Sequence, residues 1–281
     1  MKDIRVAAVC MNSSPGEIDR NLGTIRSFIL KASDKGAETI CFPELCFTGY
    51  ILEKPERACP PSLFKEASER ILEMAKMHGM VVMAGIIEVK DKGERPYISQ
   101  IVAGPQGILG IYRKTHLSPP EKASYRQGEE IGVYRCTHLT FGVQLCYESH
   151  FPELSTLMAL RGAEAIFMPH ASPRGNPEEK TESWLRHLPG RAFDNGLYVI
   201  ACNQVRETKE GLSFPGVVLA LSPSGKTLAK YCGKEEKMVL VDMRARELSE
   251  IRNHRMRYFL PSRRPELYKE IATADQEKRP S

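Results

Sequence analysis

Three polar residues stand where apolar runs end: Glu44, Lys114 and Cys146. Cys146 closes the run from Phe141 to Leu145, within Gly142-Val143-Gln144-Leu145-Cys146-Tyr147-Glu148. Phe151-Pro152-Glu153 then opens an apolar-periodic segment, 154–161. That order reads as strand, sharp turn, helix, with a thiol at the turn. Such a turn lifts a nucleophile clear of the backbone and aims helix-start N–H groups at whatever the sulfur attacks. A lone cysteine is more often a small buried hydrophobe, so the reading depends on the other two residues. Glu44 follows Cys41-Phe42-Pro43, where a strand ends. Alone it reads as a surface acid at a loop start. In a desolvated pocket its pKa would rise and suit it as a general base. Lys114 ends Ile111-Tyr112-Arg113. Alone it is a solvated strand end. As a fixed cation it would stabilise an oxyanion and help to hold Cys146 as a thiolate. Glu121 sits in Ser118-Pro119-Pro120-Glu121-Lys122, a loop stiffened by its prolines. There it is either surface decoration or a second carboxylate that orients Lys114 or a substrate nitrogen.

The elements that must position these residues alternate along the chain. Residues 4–10, 39–42 and 81–88 read as buried strands. Residues 17–35 read as a helix with Ile18, Leu22, Ile25, Ile29 and Leu30 on one face and Gly36 beyond its end. Residues 62–78 form an amphipathic helix closed by Gly79, with Ser62 as its cap. Residues 97–103 and 108–112 flank Gly104-Pro105-Gln106-Gly107, a hairpin. The second half repeats this grammar: strands at 141–145, 165–168 and 197–202, helices at 152–161 and 178–195, a hairpin at 216–221 and 226–230, and a last strand at 237–242. The 178–195 helix is expected to break at Pro189-Gly190. Helix–strand units beside hairpins predict an α/β fold, two mixed sheets packed face to face with helices outside. Strands covered on both faces explain the continuous apolar runs. The whole chain, 1–281, is read as one domain, with about 270–281 as a flexible or dimer-contacting tail.

Composition narrows the function. The 281 residues are 42% hydrophobic and 27% charged, with a net charge of +5. Acids and bases are interleaved, unlike the clustered basic face of a nucleic-acid-binding domain. The exception is Arg252, Arg255, Arg257, Arg263 and Arg264, read as a solvated or subunit-facing edge. No run of apolar residues is long enough to span a membrane. The eight cysteines contain no Cys-x-x-Cys pair, which argues against a zinc site and fits free thiols in a reducing cytoplasm.

Taken together, the motifs resemble those of the nitrilase, or carbon–nitrogen hydrolase, superfamily. The matches are Phe42-Pro43-Glu44-Leu45 with Thr48-Gly49-Tyr50, then Tyr112-Arg113-Lys114-Thr115-His116-Leu117, and the stretch from Gly142 to Glu153. Arg161-Gly162-Ala163-Glu164, Arg191-Ala192-Phe193-Asp194-Asn195-Gly196 and Arg263-Arg264-Pro265-Glu266-Leu267-Tyr268 extend the likeness over nearly the whole chain. The resemblance implies a four-layer αββα sandwich and a catalytic Glu44–Lys114–Cys146 triad with Glu121 as a further active-site carboxylate. It also implies a homodimer or higher homo-oligomer, and chemistry that needs no metal or organic cofactor. The expected reaction is hydrolysis of a small amide or carbamoyl compound through a thioester. Nitrile hydrolysis, acyl transfer to an amine and a non-catalytic binding role are the alternatives. Tyr50, Tyr147 and His170 are candidate substrate contacts, and His150 and Arg174 are possible ones. No arginine stands between Cys146 and Pro152 to hold a substrate carboxylate.

Overall fold

Two six-stranded sheets carry the chain in a computed structural model that describes residues 1–91, 93–209 and 211–273. The first sheet contains β1 (Ile4–Cys10), β2 (Thr39–Cys41), β3 (Val81–Glu88), β4 (Tyr97–Gly104), β5 (Gly107–Arg113) and β14 (Lys237–Met243), in the order β14-β1-β2-β3-β4-β5. The second contains β6 (Val133–Arg135), β7 (Thr140–Val143), β8 (Ala165–Pro169), β9 (Tyr198–Cys202), β12 (Gly216–Leu221) and β13 (Thr227–Gly233), in the order β13-β12-β9-β8-β7-β6. A short ribbon, β10 (Arg206–Glu207) with β11 (Ser213–Phe214), stands apart.

Both sheets follow one plan. Three central strands are parallel, β1-β2-β3 and β7-β8-β9. An antiparallel hairpin extends each on one side, β4-β5 and β12-β13. One antiparallel strand closes the other side, β14 and β6. Strand β1 packs across the interface on β9 and β12.

Side-chain alternation assigns the layers. In β8 and β9, Ala165, Phe167, Tyr198, Ile200 and Cys202 join the core between the sheets. Ile166, Met168, Val199 and Ala201 turn the other way, onto Met158, Leu188 and Ala192 of the outer helices. Those helices are α4 (Pro152–Leu160), α5 (Pro177–Leu185) and α6 (Leu188–Asn195). On the first sheet the cover is α1 (Ile18–Asp34) and α3 (Pro61–His78), which touch each other while α3 lies on β3 and β4. This is the expected four-layer sandwich. The minor helices are α2 (Pro55–Ala58), α7 (Ala245–Arg252) and α8 (Lys269–Thr273).

Local expectations fail in four places. Helix α1 buries Ile25, Phe28, Ile29 and Ala32, whereas Leu30 is 51% exposed, one helical step off that stripe. Ser62 does not cap α3. The helix starts at Pro61 behind Pro60, and a proline in the first turn forgoes an N–H that has no helical partner anyway. The break before α6 falls at Arg186 and His187, ahead of Pro189, because that proline also sits comfortably in a first turn. Arg252 is no solvated edge, since its guanidinium donates to the Gly196 and Ala163 carbonyls. Arg255, Arg257 and Arg264 are exposed as expected. Most of the expected tail, residues 274–281, lies outside the described residues.

Candidate active site

Lys114 follows β5 and is fully buried, its backbone N–H donating to the Ile98 carbonyl. Its ammonium donates to Glu44 Oε1 and to Glu121 Oε1, each at 2.8 Å. Glu44, just beyond β2, is equally buried, and its second oxygen accepts from the Ala171 N–H at 3.0 Å. The chain can turn there because Leu45 adopts a left-handed conformation, φ 56°. It also needs a bare backbone beside it. A Cβ on Gly85 of β3 would lie 2.3 Å from the Leu45 nitrogen. Gln204 donates to the Glu44 carbonyl and fixes the turn from the second sheet. Glu121 opens a single 3₁₀ turn after Pro119-Pro120, and its other oxygen accepts from the Ser118 N–H at 2.7 Å. Tyr50 donates to the same Glu121 oxygen that meets Lys114.

Cys146 begins a 3₁₀ turn, Cys146–His150, that runs into α4. Its φ of 47° puts a side-chain-bearing residue in the left-handed region. Such a residue costs on the order of 1–3 kcal/mol and persists only where its surroundings impose it. The surroundings here are Glu148 and Arg191. Glu148 Oε2 accepts from the Leu145 N–H at 2.6 Å, and Oε1 accepts from the Thr115 N–H and hydroxyl, each at 2.6 Å. Tyr112 donates to both oxygens. One buried carboxylate therefore ties the residue before Cys146 to the residue after Lys114. Arg191 of α6 donates to the Ser149 and His150 carbonyls at the far end of the turn. The sequence gives Glu148 only as a neighbour of the cysteine. The signal that could have found it is an acid two residues after the cysteine, at the turn between the buried strand and the helix.

The four candidate catalytic residues share one electrostatic environment. Burial, then the nearby Glu121, push Glu44 up, against the pull of Lys114, to about 7. Burial acts to lower the Lys114 pKa, but Glu44 and Glu121 outweigh it and the ammonium is held well above the usual lysine range. Burial and then Glu44 push the Cys146 thiol up to about 12, although Lys114 and the Ala171 backbone N–H pull the other way. The resting sulfur is thus a neutral thiol. Burial, and then Glu44, work against the expected resting thiolate, and Lys114 does not offset them.

Cys146 and Glu121 line a pocket of about 610 Å³. Tyr50, Tyr147 and His170, the three candidate contacts, line it too, as do His150 and Arg174. His170 is buried, with a ring nitrogen 2.7 Å from the Met168 carbonyl and its ring against Trp184. Trp184 packs, as a core residue would, and also forms pocket wall. Burial holds all three pocket imidazoles below the ordinary histidine value, His170 well below and His187 at about 4. The His150 ring stacks on His187, and its lowered pKa disfavours the charged form that would meet a carboxylate. Sequence reasoning missed Lys180 of α5, which lines the same pocket while 8% exposed. Among the described residues no cluster of three His, Cys, Asp or Glu side chains is arranged to hold a metal ion.

A buried carboxylate–ammonium pair whose charges act on a pocket-lining thiol is suited to acyl chemistry at an electrophilic carbon. Comparison with known proteins agrees. The carbon-nitrogen hydrolase family profile matches residues 5–253. The chain is 31% identical to a nitrilase of Pyrococcus abyssi, over 90% of this chain and 93% of that one. It is also 31% identical to the omega-amidase of Pongo abelii, over 90% and 92% of the two chains. N-carbamoylputrescine amidase of Solanum tuberosum is 28% identical over 92% of each. Among solved structures, an amidase from Nesterenkonia AN1, of the nitrilase superfamily, superposes with a TM-score of 0.83 at 25% identity, covering 95% of this chain and 97% of that one. The same amidase has been solved with acrylamide added at its active-site cysteine. By motif, fold and profile alike, the chain belongs to the carbon–nitrogen hydrolase family and is a carbon–nitrogen hydrolase.

Proposed function

We propose that the enzyme hydrolyses a small amide or carbamoyl compound through a thioester on Cys146. The observation that most supports this is the Lys114 ammonium bonded at 2.8 Å to both Glu44 and Glu121, the latter lining the same pocket as Cys146. A carboxyl at about 7 beside a thiol at about 12 does not form a resting thiolate. Proton transfer instead accompanies attack. The sulfur bonds to the carbonyl carbon while Glu44 takes its proton, and the C=O electrons move to oxygen. Negative charge leaves Glu44 as it arrives on the oxyanion, so the net charge around Lys114 is unchanged. The ammonium and the Tyr147 N–H receive that oxyanion, and each such donor contributes on the order of 10²–10³ in rate. The intermediate collapses, the C–N bond breaks, and Glu44 returns the proton to the departing amine. Water then attacks the thioester with Glu44 as base, and the acid leaves with Cys146 restored as a thiol. Glu121 holds Lys114 in place through the cycle.

The test is Cys146→Ala, with ammonia release as the assay. Loss of turnover in a protein of unchanged circular dichroism and melting is expected, and retained turnover refutes the reading. Competition between water and added amines for a trapped acyl-Cys146 distinguishes hydrolysis from acyl transfer. Nitrile hydrolysis is the second reading, favoured by the 31% identity to the Pyrococcus abyssi nitrilase. A nitrile series assayed beside the amides separates the two.

A homodimer is proposed as the working form. Leu157 and Leu160 of α4 and Phe193 of α6 are exposed on neighbouring helices, with Phe259 against Phe193 at 5.5 Å. Sedimentation velocity tests it. A cytoplasmic setting is proposed from the eight free thiols, and fractionation of cells tests that. Among the described residues no helix is long and apolar enough to cross a membrane.

A further inference from the structure

Helix α5 buries Pro177, Lys180, Thr181 and Trp184. These positions share one helical face, and Lys180 is a cation on it. Buried cations are ordinarily paired with carboxylates. Among the described residues, the polar contact of the Lys180 ammonium is to the Ser172 hydroxyl, at 2.6 Å. Ser172 is itself clamped, its N–H donating to Asn203 Oδ1 and its carbonyl accepting from Asn203 Nδ2. An ammonium has three donors. One is fixed on Ser172, and the side chain lines the pocket that Cys146 also lines.

The acids of that pocket are already engaged. Glu121 accepts from Lys114, Tyr50 and Ser118. Glu179 accepts from the Asn176 N–H in the capping box that starts α5. Arg174 and Arg186 add two further cations to the pocket wall, both exposed toward its rim. Burial, followed by the neighbouring Arg174, pulls the Lys180 ammonium below the usual lysine range. A cation held in that state lacks negative charge, and a bound anion would supply it.

From this arrangement we infer that Lys180, fixed by Ser172 and flanked by Arg174, is the subsite for a carboxylate carried by the substrate, so that the preferred substrates are amides of acidic compounds. The inference deepens the amidase reading and rests on it. It also relocates the acid-binding group. The stretch after the cysteine has no arginine, and α5 supplies the charge from a different wall of the same pocket.

The test uses the full-length enzyme and linear dicarboxylic acids of about three to six carbons. Each is offered as the monoamide, which carries one carboxylate, and as the diamide, in which a neutral amide of the same shape replaces it. Amino-substituted amides of equal length supply the cationic counterpart. For the best chain length, kcat/KM of the monoamide is expected to exceed that of its diamide by about 10- to 100-fold, the worth of a charge-assisted hydrogen bond in a desolvated site. Lys180→Met retains the length of the side chain and removes its charge. It is expected to erase that preference, bringing the monoamide-to-diamide ratio of kcat/KM to about one. Calorimetric titration of the inert Cys146→Ala protein, with and without Lys180→Met, gives the same comparison as binding alone. A monoamide preference that survives Lys180→Met, or a preference for the diamide or the cationic amide, overturns the subsite. In either of those cases continued amide turnover leaves the thioester reading standing. That reading fails separately, if Cys146→Ala remains active.

Discussion

Glu148→Gln tests whether one carboxylate sets the geometry of both catalytic loops. Its two oxygens accept from the Leu145 N–H, the Thr115 N–H and hydroxyl, and Tyr112. A glutamine keeps one acceptor oxygen and replaces the other with a donor. With its oxygen on the Thr115 side, the amide nitrogen faces the Leu145 N–H, a donor against a donor. The Tyr112 hydroxyl can rotate to accept, but the Leu145 N–H cannot, and Leu145 is fully buried. The flipped amide is worse, because the Thr115 N–H and the weaker His116 N–H contact at 3.3 Å then lose their acceptor. Leaving one buried N–H unsatisfied costs about 1–3 kcal/mol, and the remaining hydrogen bonds lose their charge assistance. A total of about 2–4 kcal/mol follows. The orphaned donor lies next to Cys146, whose left-handed backbone depends on this hold. A shift of about 1 Å at a reacting group can cost on the order of 10² in rate. Denaturant unfolding should therefore show a loss of about 2–4 kcal/mol. Ammonia release at saturating substrate should show kcat down about 10²-fold, with KM changed far less. A variant with kcat within threefold of the parent refutes the positioning argument, and one losing under about 1 kcal/mol refutes the hydrogen-bond accounting.

Two further outcomes follow from the same geometry. In the proposed mechanism Glu44 takes the thiol proton in its ionised form, and its carboxyl is held up at about 7, so kcat/KM for a neutral amide should fall about tenfold per pH unit below that value. A profile flat from about pH 5 to 8 contradicts this assignment of the base. In Gly85→Ala, the new methyl would sit 2.3 Å from the Leu45 nitrogen and 3.0 Å from the Glu44 carbonyl carbon. Overpacking of this kind costs about 1–3 kcal/mol, and the displaced Glu44 should lower kcat by at least about tenfold. Melting temperature and turnover check the two effects separately.

The layered fold could be read from the sequence because both faces of its central strands are covered. Strand β3 is buried over its whole length, and an uninterrupted apolar run is the direct record of that. Glu44 and Lys114 could be read for the same reason, since a polar residue that ends such a run has to be accounted for. Other features depend on relations that a linear pattern does not carry. The protonation of Cys146 is set by its burial and then by the balance of Glu44, Lys114 and Glu121 around it, a sum over residues from separate loops. Glu148 acts through donors of β5 and of the loop after it, more than thirty residues earlier in the chain. Lys180 lies inside a helical segment where the linear sequence singles out nothing. Its place on the stripe with Pro177 and Trp184 shows only when the helix is seen to begin at the Asn176 capping box. The sequence reading starts this helix one residue late, at 178, and breaks it at Pro189-Gly190, after the observed end at Leu185.

The matching plans of the two sheets explain why the site forms where it does. In open parallel arrangements, ligands collect beyond the carboxyl ends of the strands, where backbone groups run out of ladder partners. The equivalent central strands β2 and β8 both end here, one leading to Glu44 and the other to His170 and Ala171. Across the interface the Ala171 N–H meets Glu44 Oε2 at 3.0 Å. One sheet thus contributes the charged group and its counterpart contributes a backbone donor. The hairpin strand β5 of the first sheet delivers Lys114, and the central strand β7 of the second delivers Cys146. Each sheet holds an incomplete set: carboxylates and ammonium on one, thiol and backbone donor on the other. The chemistry therefore depends on the face-to-face packing of β1 on β9 and β12. A core substitution that alters the spacing between the sheets should reduce turnover before it reduces stability.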